Sequence, residues 1–286
     1  MSDGARRTDG TPQARLTLDG VAETMLWPLW NRACETRRPD RLIDDPLSAR
    51  LVDAIDYDFA ARFGRPSRIH AIRARRGDDL VADFLRRHGG GACVVGLGEG
   101  LETQYWRLGE PDVPWLSVDL PEAIAARGRL LPPGRTIAHH PGSALDLAWI
   151  DAVPEGRVPF VSAMGLLMSF EGPEVVRLLT AIAERPPGAE IFFDAIPPSF
   201  SRKTMRGMDV TKGYRAPPMP WGISVDDLPR FLEAIPSLRP VTVQTYADPY
   251  PKVLRLYSAL ARIGTLRRRL AASLAHARVV EAGAAR

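Results

Sequence analysis

A glycine-rich turn follows a short apolar run in the first half of the chain. Residues 92–95 are apolar and include two β-branched valines, as is typical of a strand buried on both faces, and residues 96–100 (G-L-G-E-G) come directly after them. Glycines between a strand and a helix let the backbone turn tightly and approach a ligand, and the helix N-terminus offers unpaired N–H groups. Asp119, at the end of the next predicted strand, follows Gly98 by 21 residues. That is about the spacing at which a carboxylate binds the ribose hydroxyls of an adenosine cofactor.

Strand and helix patterns alternate along the rest of the chain. The further strand candidates are 115–118, 135–140, 159–163, 191–194 and 241–246, and helical patterns occupy 101–108, 122–131, 148–152, 173–185 and 225–235. Strands that alternate with helices form βαβ units, so we expect an α/β fold with a mostly parallel sheet. Residues 254–280 are basic with a helical pattern, and residues 252–260 fit either a last strand or a helix.

The region before residue 90 has helical periodicity instead. Apolar residues recur at helical spacing over 21–38 and 67–88, a short helix is predicted to begin at Asp45-Pro46, and three glycines at 89–91 end the pattern. We therefore predict a disordered tail over 1–14, an N-terminal helical cap over 15–90 and an α/β domain over 91–286, all within one structural domain. Residues 197–222 hold several prolines, aromatics and methionines and are predicted to form a lid loop with one helical turn.

Composition excludes several classes of protein. Among 286 residues, 45% are hydrophobic and 25% charged, as in ordinary globular proteins, and two cysteines are too few for a disulfide scaffold. The formal net charge is only +4, and the basic residues, nearly all arginines, are dispersed among acids, so we expect no nucleic-acid partner. No apolar run is long enough to span a membrane, and the N-terminus lacks the apolar core of a signal peptide. We expect a cytoplasmic protein without a metal site.

The glycine turn leaves the choice of cofactor open between a nicotinamide dinucleotide and S-adenosylmethionine. Dinucleotide sites prefer G-x-G-x-x-G, whereas this turn has Glu99 inside it and Leu101 after it. A pyrophosphate would be repelled by Glu99 and Glu102 unless both side chains point away, whereas S-adenosylmethionine carries no phosphate. The pattern favours the sulfonium cofactor. The alternatives are a nicotinamide-dependent oxidoreductase, a non-catalytic binding module, or a tight connection in which Asp119 merely caps the following helix.

Several short motifs together resemble one known family. They are residues 27–33 (WPLWNRA), the Asp45-Pro46 pair, and the segments 96–104, 115–121, 143–146, 165–168 and 194–198. In order and spacing they resemble the leucine carboxyl methyltransferase superfamily, and within it the bacterial branch of the tetracenomycin polyketide O-methyltransferase. The resemblance implies a class I S-adenosylmethionine-dependent methyltransferase with a Rossmann-like, seven-stranded sheet and an N-terminal helical cap. It also implies an acceptor that is a carboxylate, or another oxygen, of a small natural product.

The resemblance also implies a set of cofactor-binding residues. Arg73 matches an arginine that holds the cofactor carboxylate, with Arg32 as a second basic residue, and Asp119 would receive the ribose hydroxyls. Met164 stands where relatives place Glu or Gln, so it offers a thioether instead of a strong hydrogen-bond acceptor. The full set is Arg32, Arg73, Gly96, Gly98, Asp119, Leu120, Ala144, Leu145 and Met164.

A carboxylate acceptor is ionised near neutral pH, so its methylation requires no catalytic base. We expect a methyl ester on a small polyketide-like acid, with methylation of a phenol or of a protein C-terminal carboxylate as alternatives. If the acceptor is a phenol, His70 is the first candidate base. The predicted substrate-binding residues combine anion anchors with an apolar wall, although a solvated lid would explain the lid residues equally well. They are Arg206, Tyr214, Arg215, Trp221 and Trp30. Trp27 and Trp30 could line the pocket from the cap, but as apolar residues on a helix face they fit a core better.

Overall fold

The computed structural model describes residues 21–281. The predicted tail over 1–14 lies outside the described residues, as do 15–20 of the predicted cap and 282–286 of the predicted α/β domain. No helix between residues 21 and 281 is long and apolar enough to cross a membrane.

Seven strands form one sheet in the order β3-β2-β1-β4-β5-β7-β6. The strands are β1 Ala92–Leu97, β2 Trp115–Asp119, β3 Ile137–Pro141, β4 Val158–Ala163, β5 Glu190–Ala195, β6 Leu238–Thr245 and β7 Ser273–Val279. The first five are parallel, and β7 is antiparallel to both of its neighbours. The predicted mostly parallel, seven-stranded sheet is confirmed.

Twelve α-helices surround the sheet in the described part of the chain. They are α1 Val21–Thr24, α2 Leu26–Thr36, α3 Pro46–Ala54, α4 Phe59–Phe63, α5 Ile69–His88, α6 Gln104–Arg107, α7 Pro121–Leu130, α8 Gly172–Ala183, α9 Pro198–Met205, α10 Leu228–Glu233, α11 Arg255–Ala261 and α12 Gly264–Leu270. The helices before and between the strands lie close to their predicted positions, apart from residues 148–152, which form a 3₁₀ helix.

Successive residues of the central strands face opposite sides of the sheet, as the pleat requires. On one side Val95 and Val161 pack in a cluster with the apolar face of α8. On the other side Val94 and Phe160 pack in a cluster with Ile72, Val81 and Phe84 of α5. The predicted division at residue 90 assigns α5 to the cap, but α5 covers this face of the sheet. The sheet core is therefore a three-layer α/β arrangement.

The remaining cap helices form a separate aromatic and aliphatic cluster beside the sheet. Trp30 stacks on Phe59, and Phe63 packs against Tyr214 from the lid. Asp45 caps the N-terminus of α3 by accepting a hydrogen bond from the backbone N–H of Ser48, with Pro46 at the first helical position. The cap thus has its own hydrophobic cluster, which also includes Ala123 and Ala126 of α7.

The predicted helical pattern over 254–280 is wrong at its end. Residues 252–254 form a turn and residues 255–260 belong to α11, so the helical alternative for 252–260 is correct over most of its length. The last strand is β7, inserted between β5 and β6. Ala275 and Ala277 of β7 are fully buried in the sheet core. The side chain of His276 is also buried. Its burial is tolerated because Nε2 lies within hydrogen-bond distance, 2.8 Å, of an oxygen of Glu190 on β5.

The predicted lid over 197–222 begins with a longer helix than expected. Two full turns, α9, replace the single predicted turn. The chain then runs back as an irregular segment held by a β-bridge between Asp209 and Arg215. Thr211 and Tyr214 anchor this segment to the cap, since the Thr211 hydroxyl donates to the carbonyl of Arg62 and Tyr214 packs on Phe63.

Candidate active site

A cavity of about 720 Å³ opens at the carboxyl ends of β1, β2, β4 and β5, beneath the cap. The strand order reverses between β1 and β4, and such a switch point is where open α/β sheets bind ligands. Residues of the glycine turn form the floor, and the cap and lid close the opposite side. This volume lies in the range of pockets that enclose a small molecule.

The glycine turn has the backbone conformation that its sequence requires. Gly98 and Gly100 have φ angles of +61° and +48°, which favour glycine. A Cβ atom on Gly98 would also lie 2.8 Å from Leu166, so the turn is tight as well as left-handed. Gly98 lines the cavity. Gly96, a predicted contact, is not among the lining residues, because the side chain of Glu99 folds over it.

Both acids of the turn are paired with arginines. Glu99 lies 2.9 Å from a guanidinium nitrogen of Arg127 and accepts a hydrogen bond from the indole of Trp115. Glu102 pairs with Arg32 and Arg107 at 3.2 Å and 2.5 Å. The expected repulsion of a pyrophosphate by these acids is therefore largely cancelled. The charges around the glycine turn therefore do not distinguish a pyrophosphate cofactor from S-adenosylmethionine.

Asp119 is held rigidly at the end of β2. One carboxylate oxygen accepts the backbone N–H of Gly100 at 2.7 Å, and the other accepts that of Leu120 at 2.8 Å. Burial raises the pKa of Asp119, while the Gly100 N–H lowers it. Each oxygen keeps a lone pair for a further donor, and both Asp119 and Leu120 line the cavity. The residues present thus fit a ribose with two hydroxyls.

Arg73 enters the cavity from α5. Its Nη1 donates to Asp194 at the end of β5 at 2.9 Å, and Asp194 also accepts bonds from the Gly165 N–H and the Tyr246 hydroxyl. Burial disfavours the charge on Arg73, but Asp194 raises its pKa above the ordinary value. Gly165, with φ +78°, makes room for the group, since a Cβ there would lie 2.7 Å from Nη1. The remaining guanidinium donors suit a carboxylate.

Arg32 also lines the cavity but is already heavily engaged. Its nitrogens bond to Asp45 at 3.0 Å, to the Leu101 carbonyl at 2.7 Å and to Glu102 at 3.2 Å. These bonds join α2 to the glycine turn. Contact between Arg32 and the cofactor stays a prediction, and the structure gives this side chain a structural part in shaping the site.

The last three predicted cofactor residues, Ala144, Leu145 and Met164, are only partly brought together at the cavity. Ala144 and Met164 line the cavity. Leu145 does not, because its side chain packs against the core under α8. The Met164 sulfur lies against α5, where a Cβ on Gly77 would be 3.1 Å from it. An apolar group therefore occupies the place at which Glu or Gln was expected.

Four of the five predicted substrate residues lie away from the cavity. Trp30 stacks on Phe59 in the cap core, and Trp221 packs between Phe193 and Phe231. Arg206 and Arg215 are exposed, and Arg215 pairs with exposed Asp209. Those four predictions are corrected by the structure, whereas Tyr214 does line the cavity.

Other side chains form the wall that was assigned to these residues. Trp27, Ile69, Phe200 and Met219 line the cavity from the cap and the lid. Trp27 lies three positions before Trp30 on an apolar stretch, so helical periodicity marked both and could not tell which one faces a ligand.

His70 lines the cavity next to Trp27, with the two rings in an edge-to-face contact at 5.4 Å. The side chain of Asn31 lies 2.5 Å from its Nδ1. Burial and the nearby charges of Arg73 and Arg32 hold the pKa of His70 well below the ordinary value. The imidazole is therefore neutral at neutral pH.

Together, the doubly wound sheet, the glycine turn, the acid that follows it and the cavity at the switch point define a nucleoside-cofactor enzyme of the class I methyltransferase type. Residues 26–183, more than half of the chain, match the leucine carboxyl methyltransferase family. The chain is also 34% identical over 231 residues to the tetracenomycin polyketide synthesis O-methyltransferase TcmP of Streptomyces glaucescens, covering 78% of this chain and 82% of the relative. It is 30% identical over 206 residues to the S-adenosyl-L-methionine-dependent methyltransferase dpfgK of Gibberella zeae, covering 64% of this chain and 68% of the relative.

The chain belongs to the leucine carboxyl methyltransferase family. Family membership confirms the predicted methyltransferase class, and the S-adenosyl-L-methionine dependence of relatives such as dpfgK confirms the predicted cofactor. It also removes the nicotinamide-dependent oxidoreductase from consideration.

Proposed function

We propose that this methyltransferase forms a methyl ester on the carboxylate of a small, polyketide-like aromatic acid. The observation that carries the proposal is the apolar, partly aromatic wall of the cavity, formed by the cap and the lid opposite the glycine turn. Trp27, Ile69, Phe200 and Met219 belong to this wall. Such a surface suits a flat, lipophilic acceptor.

The cofactor side of the cavity is proposed to follow the residues described above. Asp119 would hold the ribose hydroxyls, Arg73 the carboxylate, and Gly98 would let the backbone approach the methionine part. When bound, S-adenosylmethionine supplies an activated methyl group on a sulfonium. The chain's own contribution is to align the acceptor and to exclude water.

The wall supplies no carboxylate that could act as a base, among the described residues. Burial raises the pKa of Tyr214 to about 12, so its phenol stays neutral and does not take a proton from an acceptor. An acid with a pKa near 4 is already ionised at neutral pH, whereas a phenol with a pKa near 10 is not. These properties favour a carboxylate acceptor over a phenol.

Isothermal titration with S-adenosylmethionine or S-adenosylhomocysteine tests the cofactor site, and absence of binding to folded protein would refute it. The acceptor class is then tested with 2-naphthoic acid and 2-naphthol, which differ only in the reacting group. Mass spectrometry detects the added methyl group, and mild alkaline hydrolysis releases methanol from an ester but not from an aryl ether. A product that resists hydrolysis would overturn the ester proposal and favour the phenol.

A further inference from the structure

Asn31 and His70 form a buried contact between α2 and α5 at the edge of the cavity. Asn31 is 1% exposed. Its Oδ1 accepts the backbone N–H of Ser67 at 2.9 Å, and its Nδ2 lies 2.5 Å from Nδ1 of His70. Neither contact belongs to the cofactor site described above, although His70 lines the same cavity.

The backbone N–H fixes the orientation of the amide. A backbone N–H can only donate, so the Asn31 atom beside Ser67 must be the carbonyl oxygen. The other end of the amide is then the NH₂ group, which can also only donate. His70 Nδ1 must therefore accept, and a neutral imidazole that accepts at Nδ1 carries its proton on Nε2.

The other groups around the ring do not oppose this arrangement. Arg73 lies one turn further along α5, Arg32 comes from α2, and the edge-to-face contact with Trp27 supplies an aromatic surface. Both arginines disfavour a second proton on the ring, and a proton on Nδ1 would meet the Asn31 NH₂ group. No hydrogen bond from Nε2 to another group is found within residues 21–281, so this nitrogen remains for a ligand in the cavity.

We infer that Asn31 holds His70 as the tautomer protonated at Nε2, and that this N–H donates a hydrogen bond to the acceptor's carboxylate instead of taking a proton from the acceptor. The inference rests on the proposed function for the identity of the acceptor. His70 then binds the substrate, and Asn31 is a positioning residue that acts through it.

This arrangement reverses the role that the sequence suggests for His70. A base at this place would need a free lone pair on Nε2, which requires a proton on Nδ1 and loss of the Asn31 bond. Methylation of a carboxylate releases no proton, whereas methylation of a phenol must release one. A fixed N–H donor therefore selects acceptors that are already ionised.

The tautomer is tested first, by ¹⁵N NMR of protein labelled at its five histidines, with S-adenosylhomocysteine bound. His70→Phe assigns the signal, or, if that variant does not fold, the nuclear Overhauser contact with Trp27 does. We expect a neutral ring with the proton on Nε2 and no titration between about pH 6 and 8. A proton on Nδ1, or an imidazolium at neutral pH, would overturn the inference whatever the acceptor is.

Asn31→Asp is the matched variant, because it keeps the shape and the bond from Ser67 but replaces the NH₂ group by an acceptor. The proton should move to Nδ1 in the same NMR experiment, and kcat/KM for 2-naphthoic acid should fall by about tenfold relative to that for 2-naphthol. An unchanged tautomer would contradict the role given to Asn31.

Direct binding separates this inference from the proposed function. His70→Phe should weaken binding of 2-naphthoate to the S-adenosylhomocysteine complex by about five- to tenfold and leave the affinity for S-adenosylhomocysteine unchanged. Equal 2-naphthoate affinity in wild type and variant would refute the donor role while leaving ester formation intact. If the wild type neither binds nor methylates 2-naphthoate, the proposed acceptor class fails, and the NMR result still decides the tautomer.

Discussion

At the scale of single residues, Asp119 is the side chain whose environment most directly serves a ligand. Two backbone N–H groups fix both of its oxygens while the carboxylate still faces the cavity. We expect Asp119→Ala to lower the affinity for S-adenosylhomocysteine by about 1–3 kcal/mol, because hydroxyls of the ligand lose their acceptor. Isothermal titration measures this, with exposed Asp112→Ala as the control. Equal affinities in a folded Asp119→Ala protein would show that the ribose binds elsewhere.

For Arg215, in contrast to Asp119, we expect that substitution has almost no effect on ligand binding. Arg215 is exposed and pairs with Asp209, which is exposed as well, so neither charge lies in the cavity. Arg215→Ala should change the acceptor's KM by no more than about twofold, because an exposed ion pair contributes little. Steady-state kinetics with 2-naphthoic acid would check this. A large rise in KM, with cofactor KM unchanged, would restore the anchoring role that the sequence suggested.

The tryptophans show why the sequence predicts the cofactor side of the site better than the substrate side. The glycine turn and Asp119 follow from local spacing, because a tight turn and a strand end are local properties. Trp27, Trp30 and Trp221 all have sequence neighbourhoods that fit either a core or a pocket wall. Only the packing of distant rings such as Phe59 and Phe231 places two of them in the interior.

At the scale of elements, a buried ion network joins the cap to the sheet. Arg107, after the glycine turn, bonds to Asp45 at the start of α3, to Asp78 on α5 and to Glu102. Its side chain is 4% exposed, and that of Asp45 is fully buried. The network therefore holds together three segments that meet beside the cavity.

Arg107→Met should destabilise the protein by about 3–5 kcal/mol, because it leaves buried carboxylates without their main counter-charge. Urea unfolding gives the free energy of unfolding, provided that the m-value is unchanged. Arg75→Met is the matched control, since Arg75 pairs with Asp79 on the exposed side of α5 and should cost only about 0.3–0.5 kcal/mol. Similar losses in the two variants would mean that the network contributes no more than a surface pair.

Strand β7 is the element that the sequence pattern did not predict. Its polar residues His276 and Arg278 made residues 273–279 look unlike a buried strand. Both side chains bond to Glu190 on the adjacent strand, so their polarity is satisfied inside the sheet. His276 and its partner Glu190 are separated by more than eighty residues in the sequence, so their pairing cannot be recognised from the residues around His276. The apolar run of β1, in contrast, indicates a buried strand by itself.

Glu190 also makes the stability of this part of the sheet depend on pH. Burial raises its pKa, but His276 and Arg278 more than offset that and lower the pKa to about 2. The group stabilises the fold above its ordinary pKa of 4.5, and this contribution is lost as the pH falls from 4.5 towards 2. The neutral side chain of Glu190→Gln cannot titrate. The free energy of unfolding of the variant should therefore lack the fall of about 2–4 kcal/mol that the wild type shows between neutral and strongly acidic pH.

Thermal unfolding of wild type and Glu190→Gln at a series of acidic pH values measures the difference. The variant should be less stable at neutral pH and should converge with the wild type in strong acid. Exposed Glu155→Gln is the control and should run parallel to the wild type. A constant difference between wild type and Glu190→Gln at every pH would show that Glu190 does not titrate as described.

At the scale of the whole molecule, the cavity lies between two separately packed bodies of side chains. Its floor belongs to the sheet core and its roof to the cap and the lid, and residues from both sides face the same space. A ligand that contacts Asp119 on the sheet and Arg73 on α5 binds the folded arrangement and not the unfolded chain. Its binding free energy therefore adds to the stability of the fold as a whole.

S-adenosylhomocysteine at about a hundred times its dissociation constant should add about 2.7 kcal/mol to the stability, which corresponds to a rise in Tm of about 4–5 °C for a chain of 286 residues. Thermal unfolding with and without the ligand measures this. Asp119→Ala at the same ligand concentration should lose between about a third and nine-tenths of the shift, because an affinity loss of about 1–3 kcal/mol lowers the ratio of ligand concentration to dissociation constant. Hydrogen exchange should slow in α2 of the cap, as well as in α5 and the glycine turn, if the ligand joins cap and sheet. Protection confined to the glycine turn and α5 would mean that the cofactor binds to the sheet and its covering helix alone and that the cap closes only around the acceptor.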